Sequence, residues 1–189
     1  CVVGSTGFSG AGLLCVAGAL RSGAGLVTAG IPACLQPIFS SRLPESMTYA
    51  LDDTAGHLSE HCIPALEELL TGKTAVAAGP GLGTSSGAAA AVEYIIKHHD
   101  IKKVFDADAL TLIAENKQWL AEKQGDIVLT PHLGEFSRLC NLTADEIKSD
   151  MLTCAQIFSE KYGITLLLKG PTTLVVNGDK AVFVTAGTP

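Results

Sequence analysis

The sequence predicts a single α/β domain with a mainly parallel sheet and an antiparallel edge hairpin at its C-terminal end. Three observations carry this prediction. Short β-rich runs alternate with helical patterns, the sign of βαβ units. An apolar share of 47% against a charged share of 17%, with 20 glycines in 189 residues, suits buried parallel strands and closely packed helices. Near the end, Asn177-Gly178-Asp179 separates the β-branched runs Thr173–Val176 and Ala181–Val184, and an Asn-Gly pair in that setting is a strong hairpin signal.

In chain order, Cys1–Val3 reads as a first strand, followed by the glycine-rich turn Gly4–Gly10 and a helix over Ala11–Arg21. Apolar runs at Leu26–Gly30 and Met47–Ala50 predict two further strands. A helix over Ile63–Leu70 then leads to the strand Ala75–Ala78, and an alanine-rich helix over Ala88–His98 to the strand Lys103–Phe105. A helix over Ala109–Glu115, the strand Ile127–Leu129, one long helix over Ala144–Lys161 and the strand Thr165–Leu168 complete the alternation before the hairpin. No repeat, low-complexity tract or linker divides residues 1–189, so one domain is expected. There is no initiator Met, Cys1-Val2-Val3 reads as a strand entered midway, and Ala186-Gly187-Thr188-Pro189 reads as the opening of a loop. Both ends are therefore expected to be cut from a longer chain.

A net charge of −6 without any lysine or arginine run argues against nucleic acid and anionic membranes as partners. A phosphate-bearing ligand stays possible, because helix starts can hold anions through backbone N–H groups. The six cysteines show no CxxC pair and no zinc-like spacing; they read as small buried hydrophobes in a reducing compartment. No stretch is long and apolar enough to span a bilayer, which makes a cytoplasmic location the expectation. His57, His61, His98 and His99 share no spacing and read as surface residues.

Five unusual segments each follow a predicted strand: Gly4–Gly10, Gly79–Gly83, Asp106–Asp108, Thr130–Glu135 and Lys169–Thr173. In a parallel sheet the carboxyl ends of the strands share one edge, where ligands bind, so the five should converge. Gly4–Gly10 matches neither the dinucleotide fingerprint nor the P-loop, and alone it reads equally as a plain turn. Gly79-Pro80-Gly81-Leu82-Gly83 can lie flat under a ligand because its glycines remove side-chain bulk, though a tight turn would use the same residues. Of the two carboxylates in Asp106-Ala107-Asp108, Asp108 is a natural N-cap for the helix that follows, and Asp106 is the better candidate for a ligand hydroxyl or cation. His132 can donate or accept near neutral pH, while Glu135 either joins it in a site or closes a capping box at a helix start. Lys169-Gly170-Pro171-Thr172-Thr173 combines a cation, a flexible glycine and two hydroxyls, suited to the phosphates or ribose of a nucleotide.

Taken in order, Gly4–Ala11, Ser22–Thr28, Pro44-Glu45, Gly79–Gly83, Asp106–Leu110, Leu129–Phe136 and Leu168-Lys169-Gly170 resemble the ADP/ATP-dependent NAD(P)H-hydrate dehydratases along nearly the whole sequence. The resemblance implies a ribokinase-like three-layer fold, a homotetramer, and a phosphoryl transfer from ADP or ATP with Mg²⁺ that restores NADH or NADPH from the S-form of its hydrate. It implies that Ser9, Gly10, Ala11, Gly81, Asp106, His132 and Glu135 lie on the hydrate side and that Lys169, Gly170, Pro171, Thr172 and Thr173 meet the adenine nucleotide. It also implies a catalytic aspartate in a glycine-rich segment beyond Pro189, and an NAD(P)H-hydrate epimerase as a fused or separate partner. Two other readings compete: a ribokinase-like kinase for a vitamin-precursor alcohol, and a nucleotide-binding module without turnover. Thr130–Phe136 favours the dehydratase over the kinase, and a Gly-Asp segment past Pro189 would separate it from the module.

Overall fold

The computed structural model describes residues 1–186, so the Gly187–Pro189 part of the expected loop lies outside the described residues. The elements are α1 (Ser9–Arg21), β1 (Thr28–Pro32), α2 (Gln36–Arg42), β2 (Met47–Leu51), β3 (Asp53–Thr54), β4 (His57–Leu58), α3 (Ile63–Leu70) and β5 (Ala75–Ala78). They continue with α4 (Ser86–His98), β6 (Lys102–Phe105), α5 (Asp108–Glu115), β7 (Ile127–Leu129), α6 (Leu133–Cys140), α7 (Ala144–Ser149) and α8 (Met151–Tyr162). The last three are β8 (Thr165–Leu168), β9 (Thr173–Asn177) and β10 (Lys180–Val184).

The sheet runs β10-β9-β8-β7-β6-β5, and Val2 bridges Ala78 of β5 and Gly30 of β1, in parallel, so that the β1–β2 pair extends the same surface. β5 through β8 pair in parallel; β9 is antiparallel to β8 and β10 antiparallel to β9, as the Asn-Gly signal predicts. Cys1–Val3 is thus an internal strand position reduced to one bridged residue, Val2, rather than a full strand.

Period-two alternation assigns the faces. Val76, Ala78, Phe105, Ile127, Leu129, Leu166, Leu168, Leu174 and Val176 are buried beneath α3, α4, α5, α6 and α8, where Phe136 packs edge-on to Phe158 with ring centroids 5.5 Å apart. On the opposite face α1 and α2 pack a second cluster, Val3, Val16, Ala29, Ile31 and Phe39. Beyond that cluster helix cover thins among the described residues: Val104 is 38% and Val182 62% exposed, although their apolar runs predict burial. Lys103, on the covered face, is itself buried; its ammonium donates to the carbonyls of His99, Ile101 and Gln124, which compensates the charge removed from water.

Several elements depart from the sequence reading, among them α2, a helix where none is predicted. The expected long helix over 144–161 is two helices, because Asp150 leaves helical geometry (φ −152°, ψ 69°) and its carboxylate accepts from Thr153 N at 3.2 Å, capping α8. α6 lies outside the helices read from the apolar pattern, and the capping box considered for Glu135 marks its start, with His132 as the cap. The small β3–β4 hairpin was also missed. Its turn is Ala55-Gly56, with φ of 53° and 78°, where Asn-Gly would have announced it.

Candidate functional site

The five segments do converge on the carboxyl edge, and backbone packing does much of the convergence. At Gly4 the backbone N–H donates to Pro80 O at 3.0 Å, and the fully buried Ser5 hydroxyl donates to Gly81 O at 2.8 Å, tying the first glycine-rich loop to the second. A Cβ on Gly81 would fall 2.5 Å from Phe8 O, and one on Gly79 would fall 2.0 Å from Asp106 O, so both positions need glycine for close approach as well as for their positive φ. The Asp106 carboxylate then accepts from Lys169 Nζ at 2.7 Å, reaching past β7 to the end of β8. Lys169 N donates to Pro131 O at 2.8 Å, and His132 and Lys169 form an isolated parallel bridge.

A cavity of about 500 Å³ opens at this edge and runs onto the less covered face, lined among others by Ala11, Pro80, Gly81, Asp106 and Thr130. It therefore brings together three of the residues expected on the hydrate side. Ser9, Gly10, His132, Glu135 and the Lys169–Thr173 segment do not line it; His132 and Glu135 contact each other, and Lys169 joins through its ion pair with Asp106. A larger cavity, about 770 Å³, lies at the opposite strand ends, around Leu26, Thr28, Met47, Lys73 and Ala75. None of the five strand-end segments lines it, so the smaller cavity is the candidate site.

His132 and Glu135 form the capping box. Nδ1 of His132 accepts from Gly134 N at 3.0 Å and from Glu135 N at 3.3 Å, while Glu135 Oε2 accepts from His132 N at 2.7 Å. Because Nδ1 is an acceptor, the neutral ring carries its proton on Nε2, which stands 3.5 Å from Glu135 Oε1 on an exposed side chain. That leaves one N–H able to donate to a ligand.

Several local expectations need correction. Asp108 is not the N-cap: Ala107 takes that place at φ 52°, ψ −120° without a side-chain cap, and Asp108 accepts instead from Gly83 N at 2.8 Å. His57, expected on the surface, is half-buried on the β3–β4 hairpin, with Nδ1 3.4 Å from where a Gly83 Cβ would stand; the hairpin reaches the first glycine loop through Thr6 N donating to Gly56 O at 2.9 Å. Strands two residues long leave no periodicity by which this neighbour could have been found. His99 is half-buried, with Nε2 lacking a hydrogen-bond partner. Among the cysteines Cys62 is buried but Cys34 is exposed, and all six thiols are free.

Among solved structures, a ribokinase-like superfamily protein from Enterococcus faecalis superposes at TM-score 0.83 with 23% identity, covering 100% of this chain and 62% of that one. An ADP/ATP-dependent NAD(P)H-hydrate dehydratase from Bacillus subtilis, co-crystallised with ATP/Mg²⁺, gives 0.76 with 24% identity over 99% of this chain and 64% of its own. These likenesses establish the ribokinase-like fold. In sequence, the bifunctional NAD(P)H-hydrate repair enzyme Nnr of Moorella thermoacetica is 38% identical over 97% of this chain and 35% of its own length. The Coxiella burnetii enzyme of the same name is 37% identical over 98% and 36%. The chain thus spans about a third of the curated relatives it matches. The family profile described as NAD(P)H-hydrate dehydratase matches residues 1–189 without interruption, and this chain belongs to that family.

Proposed function

We propose that this chain carries the nucleotide-dependent dehydration of (S)-NADHX and (S)-NADPHX to NADH and NADPH. The observation that supports it most is the meeting, at one sheet edge, of the wall formed by Ala11, Gly81 and Asp106 with the Lys169 ammonium. Hydroxide is a poor leaving group. Attack of the C6 hydroxyl oxygen on the terminal phosphorus of ADP or ATP breaks the bond to the departing nucleotide and leaves a phosphate ester. Cleavage of the C6–O bond, with loss of a proton from the neighbouring ring carbon, then restores the double bond and releases phosphate. Such a transfer depends on positioning and charge stabilisation.

In this reading Ser9, Gly10, Ala11, Gly81, Asp106, His132 and Glu135 form the hydrate side. The exposed His132 Nε2–H donates to a substrate oxygen, a positioning role. Lys169, Gly170, Pro171, Thr172 and Thr173 receive the nucleotide, with the ammonium balancing phosphate charge. The family resemblance implies that the catalytic base is an aspartate of a glycine-rich segment; Asp106, Asp108 and Glu135 are hydrogen-bonded to Lys169, Gly83 and His132. No group of three or more His, Cys, Asp or Glu among the described residues could cage a metal. Mg²⁺ commonly takes one or two carboxylates with phosphate oxygens and water, and it would enter with the nucleotide. An epimerase, suggested by the bifunctional names of the relatives, and a homotetramer complete the proposal. No helix among the described residues is long and apolar enough to cross a membrane, and the cytoplasm is the proposed location.

The test is to supply the full-length natural protein with hydrated NADPH, ADP or ATP, and Mg²⁺. Recovery of the reduced-nicotinamide absorbance with stoichiometric phosphate is expected. Nucleotide binding without recovery, or phosphorylation of a thiazole or pyrimidine alcohol in its place, overturns the reading.

A further inference from the structure

We propose that Asp108 is a positioning residue for the hydrate-side glycine loop, and that the strained turn Asp106-Ala107-Asp108 sets the hydrate and nucleotide sides of the site as one unit. This rests on the function proposed above. The turn follows β6, between the ends of its neighbours. Asp106 reaches across β7 to Lys169 Nζ at 2.7 Å, while two residues later Asp108 Oδ2 accepts from Gly83 N at 2.8 Å beyond β5. Beneath them there is no slack, because Asp106 O would lie 2.0 Å from any Cβ on Gly79. From Gly83 the path continues through Gly81, whose carbonyl accepts from the buried Ser5 hydroxyl, into the loop that precedes α1.

The local chemistry forgoes cheaper options. Ala107 stands at φ 52°, ψ −120°, a region costly for any residue with a Cβ and natural for glycine. As N-cap it offers α5 no side-chain acceptor, although Asp108, one position later, carries a carboxylate. A turn selected only to start a helix would place Gly, Asn or Asp at 107. Here the alanine's own preference opposes the observed geometry, and both flanking carboxylates are given to loops distant in sequence. Strain of this kind persists only where surrounding contacts over-determine it, and the contacts that do so are those to Gly79, Gly83 and Lys169.

Three variants of the full-length natural protein test this. Asp108→Ala removes a charged acceptor from Gly83 and is expected to raise KM for the hydrate about tenfold while kcat and nucleotide Kd change little. Asp108→Asn keeps an acceptor and should restore KM. Ala107→Gly relieves the strain and frees the turn, so it should raise the melting temperature yet weaken both hydrate and ADP binding. A purely structural turn cannot give that combination. An unchanged hydrate KM in Asp108→Ala, or a more stable Ala107→Gly that binds both ligands normally, overturns the proposal. If the wild-type protein lacks dehydratase turnover, the functional reading fails separately. Amide hydrogen exchange then decides: accelerated exchange in both Gly79–Gly83 and Lys169–Thr173 on Ala107→Gly supports the unit, and acceleration confined to residues 106–108 rejects it.

Discussion

His132 caps α6, and the proposed function gives it a second role at the hydrate. Its Nδ1 closes the α6 capping box and its Nε2 stands 3.5 Å from Glu135 Oε1 on an exposed side chain, so truncation alone would confuse the two roles. His132→Ala is expected to cost about 1 kcal/mol of stability through loss of the cap and also to weaken hydrate binding. His132→Asn keeps a side-chain cap. It should hold stability within about 0.5 kcal/mol of wild type while still losing hydrate affinity, with ADP affinity intact. Urea unfolding and separate titrations of the two ligands check this, and normal hydrate binding by His132→Asn would remove the imidazole from the site.

Packing between elements depends on glycines that sequence alone does not rank. Gly87 lies inside α4 where a Cβ would be 2.0 Å from Leu58 O, whereas a Cβ on Gly18 of α1 meets nothing within 4 Å. Gly87→Ala must push α4 away from β4 and should destabilise by more than about 2 kcal/mol. Gly18→Ala should stabilise by about 0.5–1 kcal/mol, because only helix propensity changes. Denaturation midpoints of the pair check the contrast. At the end of α4, burial and then the Lys103 ammonium hold the His99 imidazole below the usual histidine range, with Glu67 pulling the other way. The folded state therefore binds this proton less readily than the unfolded one. The stability from neutral His99 is fully present above the unfolded pKa of about 6.5 and is lost as pH falls through the lowered folded value. His99→Leu should flatten the acid side of the stability–pH curve relative to wild type; parallel curves would assign that slope to other groups.

At the scale of the whole molecule, ligand binding at a shared edge should be visible as stability. ADP with Mg²⁺ at about a hundredfold excess over Kd is expected to raise the melting temperature by about 5–10 °C. Lys169→Ala should abolish most of that shift, and a full shift in the variant would move the nucleotide elsewhere. The sequence by itself determined the alternation of strands and helices, the antiparallel hairpin at Asn177-Gly178, and the strand-end segments that converge at one edge, because hydrophobic period, turn chemistry and strand-end position are local properties. It also determined the family, through motifs whose order survives without contacts. Other features were decided only by tertiary structure. The cap at Asp150, the Ala55-Gly56 hairpin that brings His57 to Gly83, the pairing of Asp106 with Lys169 and the diversion of Asp108 from capping to Gly83 all involve partners brought together by folding. A residue's local preference is worth about 1 kcal/mol, and contacts made across the closed sheet edge are enough to override it.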